Sequence, residues 1–405
     1  MTTLENARAA DAADPLRAFR DRFHLPPGVI YLDGNSLGPL PRAAADRLRA
    51  TVWREWGEGL IRSWNDAGWA EAPRRVGAKI ARLIGAGEDE VVVADSTSVN
   101  LFKLVMAAAG MRDGAIVAER DSFPTDAHIA ERAAVLLGRE YRAVDGAGLA
   151  EALTPDVAVA VITHVDYRTA AMHDMAGLTA RAQTYGIRVV WDLSHSVGAV
   201  PLDLTRAGVE LAVGCGYKYL NGGPGAPAFL QVARHLHGRI ASPIAGWWSH
   251  AAPFAFGAEY QPAADITRFL AGTPPILGLA ALETGIDLLL EIEPALLWEK
   301  ARQLQRLFVE RIAVRCPALT VVGPADPARR GSHVGLRHPA ALAIVRALIA
   351  RGVIGDFRTP DIARFGFTPL YIGHADVWNA VEALAGVMEG EEWRDPRFAS
   401  GGLVT

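Results

Sequence analysis

The chain has 405 residues, of which 50% are hydrophobic and 21% are charged, and its formal net charge at pH 7 is −4. This length exceeds what one ordinary hydrophobic core supports, so we expect a large domain and a smaller one. The slight acidity and the lack of a concentrated Lys/Arg block argue against a nucleic-acid partner. No segment resembles a secretory signal or the roughly 20 apolar residues of a membrane span. We therefore expect a soluble, cytoplasmic protein.

After a short amphipathic N-terminal helix, the segment YLDGNSLGPLPRAA (31–44) is rich in glycine and proline and is predicted to be an ordered loop. From about residue 73 to residue 238, short β-branched runs alternate with helical stretches. The strand candidates are VVVAD, AIVAE, AVAVIT, RVVWD and LAVGCG. Strands with two apolar faces are typical of a mostly parallel sheet covered by helices, which makes the fold class α/β.

The chain changes character from about residue 280. A long helical pattern (280–314), interrupted at Glu293 and Pro294, precedes the strand candidates LTVVG, HVGLRH and VIGDF and helices near 340–351 and 375–388. This order indicates a separate, smaller α+β domain. We predict that residues 61–285 form the large domain, that residues 286–405 form the small one, and that residues 1–60 join the small one.

Lysine is rare in this chain: only four of its 41 Lys and Arg residues are lysines. One of them, Lys218, lies in the apolar, glycine-rich stretch AVGCGYKYLNGGPGAP. A desolvated lysine can lose its proton and attack an aldehyde, which arginine cannot do. Lys218 therefore indicates pyridoxal phosphate (PLP), although a surface lysine that was never replaced by arginine explains this one residue equally well.

A PLP site needs a carboxylate for the pyridine nitrogen, a flat group against the ring, and donors for the phosphate. Asp192 ends the strand candidate RVVWD, where open α/β sheets place their ligand crevice, and His195 follows it. The turn DSTS before a helix supplies hydroxyl groups and free N–H groups for a phosphate. Each of these residues alone also fits a structural role as a cap, a turn or core packing. The remaining candidates are Thr97, Ser98, Phe123, Asp126, Thr163 and Tyr217.

Taken together, these residues make the chain resemble the kynureninase family, which has the aspartate-aminotransferase fold (PLP fold type I). The similarity runs through YLDGNSLG, DSTSVNLF, FPTD, WDLSHSVGAVPLDL, GYKYLNGGPGAP, GWWSH and GTPPILGLAALE to ARFGFTPLY. YLDGNSLG and YKYLNGGPG are specific to this family rather than to PLP enzymes in general. The resemblance also implies a large domain with a seven-stranded sheet.

The resemblance implies a role for each matched residue. Lys218 would carry PLP, Asp192 would pair with its ring nitrogen, and Phe123 would stack on the ring. Thr97, Ser98 and Tyr217 would hold the phosphate, while Asp126, Thr163 and His195 would complete the surroundings. Trp247 and Thr273 match cofactor positions on loops that a neighbouring subunit supplies in this fold, which implies a homodimer with shared sites. The remaining matches on the substrate side are Arg364, for the carboxylate, and Trp64, Tyr31, Asn35 and Ser36.

The reaction implied by the resemblance is the hydrolysis of the Cβ–Cγ bond of L-kynurenine to anthranilate and L-alanine, a step of tryptophan catabolism. Lys218 would move the α-proton, and Tyr217 is our candidate acid and base for the later steps. Relatives that prefer 3-hydroxykynurenine tend to carry His and Asn where this chain has Trp64 and Thr273. We therefore predict a preference for L-kynurenine, with weaker activity on 3-hydroxykynurenine.

Two other functions remain open at this point. A cysteine desulfurase shares the fold but needs an exposed, mobile thiol, whereas Cys215 and Cys316 are predicted to be buried. Two cysteines are also too few for a disulfide framework or a zinc cluster, so we predict no metal site. A PLP-binding protein without turnover is the third reading, but it would have no need for a substrate-carboxylate arginine.

Overall fold

The computed structural model describes residues 3–399. Its N-terminal part alternates helices with two-residue strands: α1 (Leu4–Ala13), β1 (Phe23–His24), β2 (Ile30–Tyr31), β3 (Leu40–Pro41), α2 (Arg42–Ala50), a π-helix (Thr51–Gly59) and α3 (Ser63–Asp66). The segment 31–44 is not a loop throughout, since residues 40–44 form β3 and the start of α2. The loop before β3 is ordered as predicted, because Leu32 and Asn35 are buried and the Gly38 amide donates to the Tyr217 carbonyl at 2.8 Å. This contact brings the N-terminal loop next to Lys218.

The central part contains one helix-covered sheet. Its elements are α4 (Ala72–Ile84), β4 (Val91–Val93), α5 (Thr97–Ala109), β5 (Ala115–Glu119), α6 (Pro124–Leu137), β6 (Tyr141–Val144), α7 (Leu149–Ala152), β7 (Val157–Thr163), α8 (Met175–Thr184), β8 (Arg188–Asp192), β9 (Leu211–Gly214) and β10 (Phe229–Val232). The seven strands lie in the order β4-β10-β9-β8-β7-β5-β6. β10 is antiparallel to both of its neighbours, and the other neighbouring pairs are parallel.

The sheet explains why the chemistry collects at one edge. The strands β4, β5, β7 and β9 are buried along their whole length, as strands covered by helices on both faces must be. Because β4, β5, β7, β8 and β9 run in the same direction, their carboxyl ends share one edge of the sheet. The polar residues that follow these strands therefore meet there. All five predicted strands of this region are confirmed, while β6 and β10 were not predicted.

The C-terminal part contains α9 (Ile276–Leu290), α10 (Pro294–Arg315), β11 (Thr320–Val322), β12 (His333–Arg337), α11 (Ala341–Ala350), β13 (Val353–Ile354), β14 (Asp356–Arg358), β15 (Ile362–Gly366) and α12 (His374–Glu389). The predicted break between α9 and α10 is confirmed, since Pro294 begins the second helix. A four-stranded antiparallel sheet has the order β11-β12-β15-β14. Within residues 3–399, no helix is both long and apolar enough to cross a membrane.

One predicted strand is wrong in extent. The segment VIGDF forms two strands in different sheets, because β13 pairs in parallel with β2 whereas β14 pairs with β15. Gly355 separates them, and its backbone lies so close to the Phe365 ring that a Cβ would come within 2.7 Å of it. The strand β15, which carries Arg364, was not predicted. α1 packs against α12, which supports grouping it with the small domain, but the domain boundaries at residues 60 and 285 stay predictions.

Candidate active site

A cavity of about 130 Å³ lies at the carboxyl edge of the large sheet. Nine of the predicted site residues line it: Thr97, Ser98, Phe123, Asp126, Thr163, Asp192, His195, Tyr217 and Lys218. They come from loops that follow five strands, so their convergence depends on the parallel sheet rather than on nearness in sequence. We call this space the sheet-edge cavity.

Lys218 differs from the other three lysines in its surroundings. Lys79, Lys103 and Lys300 each form an ion pair with at least one Asp or Glu. Lys218 has no such carboxylate partner within 4 Å among residues 3–399, and its Nζ lies 2.9 Å from His195 Nε2 instead. Part of its surface faces the cavity, but the surrounding protein desolvates the amine, and desolvation lowers the pKa of Lys218. The amine therefore exists in its neutral, nucleophilic form at lower pH than an ordinary lysine.

His195 is also kept neutral. Its pKa is well below the ordinary value, first because the ring is buried and second because Lys218 is close. Its Nδ1 atom is buried and has no hydrogen-bond partner among the described residues.

Two carboxyl groups lie at the floor of the cavity. Asp192 ends β8, and its Oδ1 accepts from the Ser194 amide at 2.7 Å, which fixes the direction of this carboxylate. Asp126 Oδ2 accepts from the hydroxyl groups of Ser122 and Thr163, at 3.1 and 2.9 Å. Burial raises the pKa of Asp126, and the charge of Asp192 raises it further. Asp126 therefore holds its proton to higher pH than an ordinary aspartate does.

The start of α5 provides an anion site on another wall. Ser96 caps the helix, with its Oγ accepting from the Val99 amide. The next residues, Thr97 and Ser98, are the first two of the helix, so their N–H groups precede the hydrogen-bond ladder of the helix. These two amides and their hydroxyl groups, together with the helix dipole, favour a phosphate.

Aromatic side chains form the remaining walls. Phe123 precedes α6, and the centre of its ring lies 5.9 Å from Lys218 Nζ. The Tyr167 ring meets Phe123 edge-on at 5.5 Å. Burial raises the pKa of Tyr217, and the neighbouring Cys215 raises it further, so this phenol keeps its proton and serves as a donor.

Arg364 does not line the sheet-edge cavity but contacts Tyr167, which does. It is buried and donates to the Tyr167 carbonyl at 2.5 Å, to Ser36 Oγ at 2.7 Å, and to both oxygens of Asp356 at 2.8 and 2.5 Å. The two-pronged edge of the guanidinium, which we assigned to a substrate carboxylate, thus already holds Asp356. Four of the five N–H groups of Arg364 are used, which leaves one on Nη1.

The group around Arg364 has a net positive charge. Arg358 donates to the same Asp356 at 2.7 Å and to Ser36 at 3.0 Å. Burial alone would raise the pKa of Asp356, but the charge of Arg364 outweighs it and the pKa is lowered. Asp33 lies nearby, and burial, followed by repulsion from Asp356, raises its pKa to about 8. With Asp33 neutral, two arginines face one carboxylate. We call Asp33, Asp356, Arg358 and Arg364 the arginine face.

Several predicted residues lie away from the cavity within this chain. Trp64 packs against Trp69 and Trp248, as a core residue does. Trp247 and Thr273 are exposed, and Trp247 lines a different cavity. Tyr31 donates to the Leu37 carbonyl and lines a separate apolar groove, while the buried Asn35 packs under Gly366.

Sequence reasoning missed Ser122, Tyr167, Asp356 and Arg358. Ser122 directly precedes the FPTD motif and Tyr167 follows the strand end at Thr163, so their positions beside matched residues were a usable signal. Asp356 and Arg358 had no comparable signal, because their contact with Arg364 depends on the pairing of β14 with β15.

Both thiols are buried, as predicted. Burial raises the pKa of Cys215 and also that of Cys316, the latter to about 11. Neither is an exposed, mobile thiol of the kind that a cysteine desulfurase needs.

The family follows from comparison with known proteins. Residues 297–384 match the model of the kynureninase C-terminal domain. A kynureninase from Burkholderia mallei is 48% identical over the full length of both chains, and one from Pseudomonas fluorescens is 47% identical over 98% of each. The chain belongs to the kynureninase family. Members of this family are PLP-dependent hydrolases of a carbon–carbon bond, so the predicted enzyme class and cofactor are confirmed.

Solved structures confirm fold type I. A cysteine desulfurase from Thermococcus onnurineus superposes with a TM-score of 0.77 over 96% of this chain and 99% of its own, at 17% identity. A cysteine desulfurase from Escherichia coli gives 0.78 over 92% and 98%, at 18% identity. At such low identity the likeness concerns the fold alone.

Proposed function

We propose that this protein hydrolyses the Cβ–Cγ bond of L-kynurenine, using one water, to give anthranilate and L-alanine, with PLP linked to Lys218. The observation that carries the proposal is the pairing pattern of the lysines. Three of the four are neutralised by carboxylates, whereas Lys218 faces a neutral imidazole in a desolvated cavity. Such an amine is prepared for nucleophilic chemistry rather than for an ion pair.

The cavity residues fit the cofactor. Lys218 would bind its aldehyde, Asp192 would hold a proton on its ring nitrogen, and Phe123 would cover its ring. Tyr217 and the start of α5, with Thr97 and Ser98, would hold the phosphate. When bound, PLP supplies an electron sink for bonds at the substrate's α-carbon. The neutral Asp126, bridged to Thr163 and Ser122, leaves Asp192 as the charged partner of that ring.

The chain's own residues would move the protons. Once its amine is free, Lys218 would take the proton from Cα, and its lowered pKa keeps enough of the amine neutral to do so. The nearby Tyr217, protonated because of its raised pKa, would donate to carbon or oxygen at the later steps. His195 would hold Lys218 in place through the contact between Nε2 and Nζ.

The arginine face would bind the α-carboxylate of the substrate. Its net positive charge and the remaining N–H of Arg364 attract an anion, and Arg358 supplies a second cation. Ser36, which bridges both arginines, fixes their spacing. In this arrangement Asp356 and the substrate carboxylate bind different N–H groups of the Arg364 guanidinium. Asp356 therefore orients Arg364 and does not compete with the substrate for the same N–H groups.

We further propose a cytoplasmic homodimer in which Trp247 and Thr273 reach the partner's cavity. Both residues are exposed here, and a cluster of exposed aromatic rings that includes Phe254 and Phe256 surrounds Trp247. A strongly apolar groove of about 730 Å³, lined in part by Tyr31, is a second surface that a monomer would leave open to water. Thr273, together with Trp64, which packs against Trp248, would favour L-kynurenine as substrate over 3-hydroxykynurenine.

The test is direct. The purified, PLP-loaded protein is expected to convert L-kynurenine into fluorescent anthranilate and an equal amount of alanine, and borohydride reduction followed by peptide mass analysis should place PLP on residue 218. Lys218→Ala should lower kcat by about a thousandfold or more. Lys79→Ala, which removes a paired lysine on α4, is the matched control and should retain activity. Sulfide release from cysteine in place of anthranilate, or PLP on another lysine, would refute the proposal.

A further inference from the structure

Four buried side chains near Lys218 carry polar atoms without a hydrogen-bond partner. They are Asn35, His195, Tyr219 and His333, and we call them the back cluster. Each is less than one-tenth exposed. His195 Nδ1, Tyr219 Oη, both ring nitrogens of His333 and both amide atoms of Asn35 have no hydrogen-bond partner among residues 3–399. Buried polar atoms are nearly always hydrogen-bonded, so such a concentration beside a reactive amine calls for an explanation.

The contacts show that these groups are neighbours. The His333 ring lies 5.4 Å from the His195 ring, and the Tyr219 ring lies 6.4 Å from it on another side. Asn35 packs under Gly366, which is paired with His333 in the ladder between β12 and β15. Tyr219 and His333 therefore lie next to His195, and Asn35 lies beside the strand residue that is paired with His333.

His333 also lies on the same side of the small sheet as Arg364, a member of the arginine face. Directly paired residues of an antiparallel ladder point to the same side, and Arg364 is paired with Gly335, two residues after His333. The charged groups that act on the His333 ring are Arg364, Asp356, Lys218 and Arg358. Burial lowers the pKa of His333, and Arg364 lowers it further, so the ring is neutral and can accept a hydrogen bond.

The hydrogen bonds that His195 needs indicate a role for the His333 ring. If Lys218 Nζ donates to His195 Nε2, then His195 carries its proton on Nδ1, and that N–H needs an acceptor. No described protein atom accepts from His195 Nδ1, whereas the unpartnered, neutral ring of His333 has its centre 5.4 Å from that of His195. A bridging water is therefore the link that we infer between the two rings. The donor or acceptor on the second ring nitrogen is what normally fixes the tautomer of a histidine.

We propose that His333 is a positioning residue: through a water shared within the back cluster, it holds His195 in the Nδ1–H tautomer and so keeps His195 Nε2 aimed at Lys218. The inference rests on the proposed role of Lys218. In this proposal a residue of the four-stranded sheet, His333, helps to orient the amine of Lys218, which follows a strand of the seven-stranded sheet. Loss of the acceptor frees the His195 ring to turn or to change tautomer, and Lys218 then loses its fixed direction.

The variants are His333→Leu, which keeps the volume without a polar atom, and His333→Gln, which restores an amide near the position of Nε2. The matched control is His237→Leu, since His237 is another buried histidine whose ring bonds only the Val232 carbonyl, away from the cavity. Four quantities are measured for each variant: kcat and KM for L-kynurenine, the pH at which the visible absorbance of the protein-bound PLP changes, and the rate at which cofactor-free protein takes up PLP covalently.

For His333→Leu we expect kcat to fall about tenfold with KM within about threefold of wild type, a slower uptake of PLP, and a shifted pH of the absorbance change. His333→Gln should recover most of each quantity, and His237→Leu should change none of them. If His333→Leu does not fold, His333→Asn replaces it, because its amide is too short to reach the shared water and must show the same losses. Wild-type behaviour of the Leu or Asn variant, or equal losses in the Gln variant, would overturn the inference. Wild-type protein that fails to bind PLP or to release anthranilate would instead refute the proposed function.

Discussion

Lys103 and Lys218 are two lysines surrounded by protein in the same domain, and they differ in what neutralises them. Lys103 is fully buried on α5, and its Nζ lies 2.5 Å from both Asp95 Oδ2 and the Phe269 carbonyl. Lys218 has a neutral imidazole in place of a carboxylate, and its pKa is lowered. The same side chain is thus structural where it has a counter-ion and reactive where it has none.

The difference also separates stability from activity. Removing one partner of a buried ion pair lowers the free energy of unfolding, because the other charge is left uncompensated. A desolvated, unpaired amine costs folding free energy and yields a group that loses its proton at lower pH than an ordinary lysine does. The carboxylates beside the other lysines are therefore the reason why we assign the cofactor to Lys218 alone.

The largest effect on stability is expected when Lys103 is made to resemble Lys218. Asp95→Asn removes the counter-ion but suits the backbone, since Asp95 has a φ of 48°, a conformation that asparagine tolerates well. The free energy of unfolding, measured with denaturant at pH 7, should fall by about 3 kcal/mol, because the buried ammonium keeps the Phe269 carbonyl but loses its counter-ion. Adding Lys103→Met to this variant should recover part of the loss. If the double variant is no more stable than Asp95→Asn alone, the buried charge is not the cause.

The converse change gives Lys218 a counter-ion. His195→Glu places a carboxylate beside the amine, which should raise the pKa of Lys218 and keep it protonated. We expect the cofactor-free variant to take up PLP about tenfold more slowly at pH 7.5 than His195→Gln, its neutral match in size, and to approach that control at pH 10. Rates that stay equal at pH 7.5 would show that the missing counter-ion does not control the reactivity of Lys218.

The residues of the sheet-edge cavity could be predicted from the sequence, because each belongs to a strand end or to the turn after it. Asp192 and Thr163 end strands with two apolar faces, and a parallel sheet brings such ends together without further information. The short strands β6 and β10 were missed for a related reason: β6 is an edge strand that is only half-buried, and β10 contains the polar Gln231.

The arginine face could not be predicted in the same way. In a chain with many arginines, no local pattern distinguishes Arg358, and Asp356 was placed within a longer strand. Their function depends on the ladder that sets Asp356 opposite Arg364. The same holds for His333, which lies near His195 only because the small sheet packs against the edge of the large one. Non-local pairing, rather than residue type, decides these contacts.

The smallest effect is expected at Asp33. Like Lys218, Asp33 is a buried ionisable group whose pKa is shifted toward the neutral form. In the folded protein Asp33 keeps its proton up to a pKa of about 8, whereas the unfolded chain releases it near the ordinary aspartate pKa of 3.8. The folded state therefore binds more protons between these values, and the free energy of unfolding falls as the pH rises through this window. In Asp33→Asn the amide does not titrate.

The unfolding free energy of Asp33→Asn, relative to wild type, should therefore increase between pH 5 and pH 8, by on the order of 1 kcal/mol or more. Parallel denaturant titrations of both proteins at the two pH values measure this difference. If the difference between the two proteins instead stays constant from pH 5 to pH 8, Asp33 is already ionised in the folded protein. Two carboxylates would then balance Arg358 and Arg364, and the net charge that we assign to substrate binding would be absent.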